Sequence, residues 1–472
     1  MRTSRSHMAR IVLTTYGSSG DLNPIVALGL GLQARGHAVV IAVEEAHRAV
    51  VLAAGLPVHP LSGDNDAVLL PYRQALFNDL SPLTFAKILL ERSILPALPT
   101  TVEALRAACE GADLLVSTVQ QAAGGIVAEL TRVPWVSVAL SPTTIPSAAC
   151  APTPALAAMP RPLRPLANRA AWAMLRPAAR RLGDEGLNRV RASFGLRPRR
   201  DVLLLGNRSP SLTAVAVSPV FFPRPHDWPR HVRPTGFLFW DTPATWAEPA
   251  ALADFLAAPR PVVAVSSGSM SPLVGDVFAA FYRTSVAAIR RAGARALVIG
   301  ASPDAFPAAL PADTLAVPFA PFSAVYPRCA AVIHHGGIGT TAQGLRAGVP
   351  ALVAPWGVDQ YFDGMQVARL GAGRWLPRRR YTVARAAGML TELLHQPAYQ
   401  ERARGIAALC KISHKMRRVA HNLRPPSHRS CADPPRPAPT SPRWGCTTPE
   451  RVLARALSAR QRGCSPARAG AP

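Results

Sequence analysis

Two separate stretches of this chain alternate short apolar runs with helically spaced segments, and that repeated alternation limits its fold more than any other feature. A strand that passes through a helix to a parallel neighbour lies in a sheet covered on both faces, so it reads as a continuous apolar run. In the first stretch, residues 10–15 form such a run, closed by a Gly-rich turn at 16–21. Residues 24–35 have helical apolar spacing and Gly36 stops them. A strand over 38–43 follows, then a helix through Ala54 that ends at Gly55. Residues 58–61, 113–118 and 135–140 read as further parallel strands, with a helix over 122–130, and 214–222 as the last strand of this half. Residues 219–261 then gather prolines and tryptophans, among them Pro223, Pro225, Trp228, Pro229, Pro234, Trp240 and Trp246, and read as a connector. The alternation restarts with strands over 261–266, 295–299, 314–317, 330–333 and 351–354, interleaved with helices over 277–292, 340–347, 360–370 and 384–394.

The expectation is an α/β chain of two doubly wound, parallel-sheet, Rossmann-like domains facing a cleft. The domains span 9–235 and 261–409, joined by a linker over 236–260, with an atypical, disordered tail over 410–472. At 472 residues, about two or three domains are expected. The tail is rich in Pro and Arg without apolar periodicity. Its abrupt onset after a well-formed helix start at 398–409 also reads as a shifted reading frame at the gene's end.

A net charge of +26 suggests nucleic acid, but its distribution does not. The tail holds 13 Lys and Arg against Asp433 and Glu450, so +11 of the charge sits there, and the rest is scattered arginine. No nucleic-acid partner is expected. The seven cysteines form no C-x-x-C pair and suggest reduced thiols in a cytoplasmic protein. The polar first ten residues lead straight into a strand rather than a secretory signal. The longest charge-free run, 133–160, carries six prolines, which a membrane-spanning helix would not. It reads as strand plus apolar loop, either acceptor-pocket wall or core.

The strongest chemical signal is His334-His335-Gly336-Gly337-Ile338-Gly339-Thr340-Thr341, which follows a strand and opens a helix. Glycines let backbone approach a ligand, and the free amides and dipole of a helix start favour an anion. Thr340 and Thr341 add hydroxyl donors, and His335 can donate to a phosphate oxygen. A plain Gly-rich turn is the other reading; a P-loop is excluded because no Gly-Lys-Ser/Thr follows. Asp359-Gln360 comes eighteen residues after Thr341, at the end of the next strand. A carboxylate and an amide there suit the vicinal hydroxyls of a sugar, and a helix N-cap is the local alternative.

Residues 319–373 resemble the donor-binding signature of the family 1 glycosyltransferases of the GT-B superfamily. Phe319-Ala320-Pro321-Phe322 stands where plant members have Trp-Ala-Pro-Gln, His335, Gly337 and Thr340 where the family binds phosphate, and Asp359 and Gln360 where it binds sugar. The resemblance covers roughly residues 9–409. It is nearest to bacterial members acting on lipids and other natural products, including the rhamnosyltransferase of rhamnolipid synthesis. Pro225-His226-Asp227-Trp228-Pro229 looks like the same branch. It implies the GT-B fold and inverting, metal-independent transfer of a hexose to a hydroxyl of an apolar small-molecule or lipid acceptor. No cofactor is implied; a UDP- or dTDP-linked sugar is the co-substrate.

The resemblance also gives the first loop, Gly17-Ser18-Ser19-Gly20-Asp21, a place in the interdomain cleft, with Asp21 as general base where plant members use His. The alternative is an N-cap for the helix at Pro24. Ser18 and Ser19 are candidates for the diphosphate or the base. Ser267-Gly268-Ser269 joins His335 and residues 336–341 around the leaving diphosphate, and Phe319 or Phe322 either stacks on the nucleobase or packs in the core. Asp64-Asn65-Asp66 matches a metal-binding Asp-x-Asp, but in the half not expected to hold donor. His37 and His59 read as structural. In the acceptor half, segments 71–98 and 145–180 read as flexible walls, with Leu76, Phe77, Leu80, Phe85, Trp172 and Leu175 as lining or core. Arg161, Arg164, Arg180 and Arg181 are a solvated face or a peripheral membrane contact. Two other classes stay open: a nucleotide-sugar epimerase on this fold, and a catalytically impaired nucleotide-sugar-binding protein whose C-terminal brace is lost beyond Leu409.

Overall fold

The computed structural model describes residues 8–63, 68, 70–72, 82–153, 156, 159–160, 162–241, 246–268, 278–301 and 310–419. Ser269, Asp64-Asn65-Asp66, Leu76, Phe77, Leu80, Arg161, the Phe85 side chain and residues 420–472 lie outside the described set.

The first sheet consists of β1 (Arg10–Thr14), β2 (Ala38–Glu44), β3 (Val58–Leu61), β4 (Leu114–Thr118), β5 (Trp135–Ala139), β6 (Thr213–Val215) and β7 (Val232–Pro234). They lie in the order β3-β2-β1-β4-β5-β6-β7, every pair parallel. The second sheet holds β8 (Val262–Ser266), β9 (Arg295–Ile299), β10 (Thr314–Val317), β11 (Ala331–His334), β12 (Ala351–Val353) and β13 (Gly373–Trp375). Its order is β10-β9-β8-β11-β12-β13, again all parallel. Leu114–Thr118 and Val262–Ser266 are buried along their whole length, as parallel strands covered by helices on both faces must be.

Both sheets reverse winding direction beside their central strand, β1 with β4 in the first and β8 with β11 in the second. Loops leaving the carboxyl ends diverge at such a point and open a crevice. Thr14 stands opposite Ser117, and Ser266 opposite His334, so the loops beginning at Thr15 and Ser267 leave from these two crevices.

Several expected boundaries change. The last strand of the first half is not 214–222: β6 ends at Val215, and the seventh strand, Val232–Pro234, lies inside the expected connector. It is a three-residue edge strand, the position where a proline costs no ladder bond. Strand β13 was not foreseen. Within the expected linker 236–260, Ala250–Ala257 is a helix whose Leu252, Phe255 and Leu256 pack into the core of the second sheet. Residues 145–180 are not a flexible wall throughout, because Arg164–Ala179 is a helix. The first helix starts at Ser19 rather than Pro24 and runs to Gln33.

The chain does not lose its pattern at 410. The last helix among the described residues is Pro397–Val419. Its Ala403 and Ile406 join a core shared by both domains, with Val215, Phe221 and Phe222 from the first and Leu345 and Phe362 from the second. Phe222 meets Phe362 edge-to-face at 5.3 Å, a geometry that adds about 0.5–1.5 kcal/mol beyond burial. The brace expected to be missing beyond Leu409 therefore extends at least to Cys410, whose Sγ lies 3.9 Å from Ser218 Oγ. Arg346 also reaches Asp241 with two 2.7 Å bonds.

Candidate active site

The loop after β1 is short because the helix begins at once. Ser18 is its N-cap, accepting from Gly20 N at 3.2 Å, and Asp21 is the third helical residue. The Asp21 carboxylate accepts from Ser18 N at 2.9 Å and from Ser18 Oγ at 3.3 Å, closing a capping box. The chain bends into this box at Gly17, with φ of +123°, where a Cβ would lie 2.4 Å from Asp21 Oδ2. Any side chain at Gly17 displaces the carboxylate. Buried hydroxyls pin the loop from below: Thr15 Oγ1 lies 3.2 Å from Thr118 Oγ1, and Gln121 Nε2 donates to the Thr15 carbonyl at 3.2 Å. His47 Nε2 lies 2.8 Å from the Gly17 carbonyl. None of Thr15, Thr118, Gln121 and His47 was singled out from sequence. Thr15 and Thr118 carried a signal, as polar residues at the carboxyl ends of otherwise apolar strands; Gln121, in the turn after β4, and His47, in the helix after β2, carried none.

Burial pushes the Asp21 carboxyl up to about 6. The two Ser18 bonds oppose that rise, the Asp359 carboxylate of the facing domain adds to it, and His47 lowers it slightly. An acid of this kind is ionised at neutral pH yet closer in basicity to a hydroxyl's proton than an exposed aspartate.

Across the cleft, His335 follows β11, and its imidazole is seated between two glycines. A Cβ on Gly268 would lie 2.3 Å from His335 Cε1, and one on Gly337 would lie 2.5 Å from Nε2. Gly268 also has φ of +80°. Burial lowers the His335 pKa to about 4, so the ring is neutral near pH 7 and offers one N–H rather than a charge. Its Nδ1 is buried without a partner among the described residues. His334, the preceding residue, is buried and uses its Nδ1 to accept from Gly336 N at 3.0 Å.

The helix Ile338–Ala347 starts immediately after this histidine, with Gly337 as N-cap and no side chain capping its first amides. Gly339 is exposed and a Cβ there would meet open space, so protein packing does not demand a glycine. A small cavity of about 150 Å³ is walled on one side by Gly20 and Asn23 and on the other by Phe322, Gly339 and Thr340. The two loops therefore face each other across the domain boundary.

Asp359 and Gln360 are not at a strand end; they lie in the first turn of the helix Val358–Arg369. Gln360 Oε1 accepts from Trp356 N and Gly357 N, both at 2.8 Å, which fixes the amide plane and leaves its Nε2 to donate elsewhere. A Cβ on Gly336 would sit 2.9 Å from the Gln360 carbonyl, so the two loops are packed backbone to backbone. Burial raises the Asp359 carboxyl against two local backbone bonds. Asp363, one turn further, was not anticipated. It is 0% exposed, neither oxygen has a partner among the described residues, and burial holds its carboxyl well above the usual range.

Two expected donor hydroxyls are turned away. Ser267 Oγ lies 2.8 Å from the buried Tyr282 hydroxyl, and Ser267 N donates to that same oxygen at 3.0 Å. Thr341 Oγ1 donates back to the Gly336 carbonyl at 3.5 Å and is buried. Phe322 stacks on Tyr326 at 4.6 Å and lines the cavity, whereas Phe319 is 56% exposed and not core. Trp172 is buried, donating to the Cys150 carbonyl at 2.9 Å. Among the described residues no cluster of three His, Cys, Asp or Glu side chains could hold a metal ion, and no helix is long and apolar enough to cross a membrane.

Comparison with known proteins follows the same division. Residues 11–149 match the glycosyltransferase family 28 N-terminal domain, and residues 296–423 match the C-terminal domain of erythromycin biosynthesis protein CIII-like proteins. The second match runs past residue 409, in keeping with the observed helix. The chain is 36% identical over 419 residues to the O-mycaminosyltylonolide 6-deoxyallosyltransferase of Streptomyces fradiae, covering 84% of this chain and 92% of that one. It is 28% identical over 413 residues to a sterol 3-beta-glucosyltransferase of Neosartorya fischeri, of which it spans 28%. Among solved structures, the spinosyn forosaminyltransferase SpnP superposes with a TM-score of 0.63 at 20% identity, covering 88% of this chain and all of that one. Glycosyltransferase VinC, solved in complex with dTDP, does so at 0.59 and 22% identity, with the same coverage.

Proposed function

We propose a reaction from the premise that the chain belongs to the GT-B glycosyltransferases of the family 1 and family 28 natural-product kind, relatives of the sterol glucosyltransferases. It transfers a sugar from a nucleotide diphosphate sugar to a natural-product or sterol-like acceptor. Our finer reading is inverting transfer of a hexose or deoxyhexose from a dTDP-linked donor to a hydroxyl of an apolar acceptor, without a metal. The 6-deoxyallosyl group named for the Streptomyces fradiae relative supports the deoxyhexose, and the dTDP held by VinC supports the nucleotide.

The observation that carries the reading is the opposition of the helix start that bears Asp21, through Gly20 and Asn23, to the uncapped helix start at 338–340 across one cavity, with the Asp21 carboxyl raised by burial and by Asp359 of the facing domain. Ionised Asp21 takes the proton of the acceptor hydroxyl. The oxygen then bonds to the anomeric carbon from the face opposite the diphosphate, and the carbon–oxygen bond to the diphosphate breaks, which inverts that centre. The departing diphosphate carries the electron pair. The N–H of neutral His335, the free amides from Gly337 onward and the Thr340 hydroxyl bind it, preorganised because His335 is clamped between Gly268 and Gly337. Asp359 and Gln360 Nε2 orient the sugar hydroxyls. Ser18 holds Asp21 in place rather than touching donor, and Ser19 and Gly20 line the approach. Ser267 and Thr341 act through the backbone they fix.

A thermal-shift screen of dTDP, UDP and GDP, without added metal and with EDTA, tests this reading. dTDP raises the melting temperature more than the others do, and EDTA leaves the shift intact. A shift that appears only with Mg²⁺ or Mn²⁺, or none with any nucleoside diphosphate, defeats it.

A further inference from the structure

A cavity of about 610 Å³ lies in the N-terminal domain and shares no lining residue with the cleft described above. Pro210 and His231 in its wall stand just before β6 and β7, at the amino ends of those strands, whereas Asp21 follows the carboxyl end of β1. Its volume is within the range of pockets that hold small organic ligands.

The walls combine apolar surface with an excess of positive charge, three arginines against one aspartate. Trp172 and Ala173 of the helix Arg164–Ala179, with Leu204 and Leu205, supply the apolar part. Arg208 is largely withdrawn from water, and burial alone pulls its pKa down to about 10. Its Nη2 donates to the Thr144 carbonyl, and no carboxylate pairs with it among the described residues. A desolvated guanidinium without an anion is costly unless a ligand supplies one. Arg169 adds a second charge at the rim, and Arg176 a third that Asp201 holds at 3.0 Å. The one aspartate among the lining residues, Asp227, accepts from Ser147 Oγ at 2.8 Å and Ala148 N at 2.6 Å within the same wall, so its oxygens are held by neutral donors and not by Arg208. His231 is neutral at pH 7, since burial lowers its pKa.

The same helix carries an exposed apolar stripe next to this wall. Leu166, Ala170, Ala173, Met174 and Pro177 recur at helical spacing, and Leu166 and Met174 are 69% and 77% exposed. Arg169 and Arg176 run along one flank of the stripe, and no acidic residue lies on the helix. Ala173 belongs to both stripe and cavity.

We infer that this cavity is a second binding site, for an anionic amphiphile whose carboxylate or phosphate monoester head pairs with Arg208 and Arg169 while its alkyl tail covers Trp172, Leu204 and Leu205. The arginine fork suits either oxyanion. The ligand enters as a single molecule past Ala173, with the exposed stripe steering the tail.

Calorimetric titration of the full chain with decanoate, dodecyl phosphate and, as uncharged and cationic controls, decanol and dodecyltrimethylammonium tests the site, each probe kept below its micelle concentration. Decanoate and dodecyl phosphate bind at least tenfold more tightly than either control. Arg208→Gln erases that preference, and Ala173→Phe, which fills the mouth from an exposed helix position, weakens both anions at least tenfold. Unchanged unfolding transitions by circular dichroism show that the variants are folded. Equal affinity for decanoate and decanol overturns the assignment, as does a preference that survives in Arg208→Gln or full binding in Ala173→Phe. A parallel arm with phosphatidylglycerol and phosphatidylcholine vesicles separates the sources: binding to anionic vesicles without any to monomeric decanoate overturns the single-molecule site in favour of a bilayer contact.

Discussion

Replacing Asp21 by Asn separates chemistry from capping, because the two roles predict opposite signs. Asn keeps an oxygen to accept from Ser18 N but is never charged. In the folded chain the carboxyl titrates near 6 against a reference of 3.8, and each unit is about 1.4 kcal/mol. The folded pKa is raised, so stability is unaffected below about pH 4 and declines as pH rises from there through 6, where the folded state still holds a proton the unfolded chain has lost. Above that window the ionised Asp21 costs about 3 kcal/mol, an upper figure because the residue is partly exposed. Asp21→Asn therefore raises the melting temperature at pH 8 by roughly 2–6 °C and leaves it unchanged at pH 4. Turnover moves the other way. Wild-type kcat/KM climbs with unit slope up to about pH 6 and then levels, whereas the variant loses about 10²–10⁴-fold and the acid limb with it. The assay is product formation by chromatography across pH 4.5–8.5, roughly the span that brackets both pKa values, beside calorimetric melting. A variant within tenfold of wild type, or one that keeps the acid limb while melting earlier at pH 8, refutes the general-base argument and leaves Asp21 as a cap.

Asp359→Asn removes a carboxylate that raises Asp21, so the acid limb of kcat/KM shifts to lower pH even as donor affinity falls; an unmoved limb shows the two groups are uncoupled. Gly268→Ala drives a methyl into the His335 ring, and Gly337→Ala does so from the other side; each lowers dTDP affinity at least tenfold by calorimetry, and native affinity in both refutes the clamp. Tyr282→Phe strips Ser267 of its hydrogen-bond partner for both N and Oγ and costs about 1–3 kcal/mol in urea unfolding. Asp363→Asn stabilises the chain increasingly as pH rises above about 4, the window between the unfolded carboxyl and its raised folded value, and a stability profile parallel to wild type contradicts that.

The two-domain α/β architecture was readable because parallel strands must be apolar on both faces, so β1, β2, β4, β8 and β11 stand out as runs. β7 and β13 did not, since three residues carry too little pattern and Pro234 argued against a strand. The last helix passed unnoticed beyond Leu409 because its composition turns basic there, yet the turn before, at Ala403 and Ile406, already anchors it in the shared core. Helix starts were misplaced at Asp21 and at Asp359 for one reason: carboxylate, serine and glutamine side chains bond the backbone of an incipient turn, so residues that look like loop chemistry are also first-turn chemistry.

Sequence by itself determined the periodicities, and with them two parallel sheets, and it determined where glycine and small hydroxyl residues follow a strand and open a helix. Those are local properties, set by sterics within a few residues. Which of those hydroxyls faces the cleft was decided only when the chain folded. Ser267 and Thr341 turned inward because Tyr282 and the Gly336 carbonyl lay within hydrogen-bond reach, while Thr340 lines the cavity. The raised pKa of Asp21 is likewise a tertiary quantity: desolvation and the charge of Asp359 come from groups hundreds of residues apart in sequence, and no spacing rule records them.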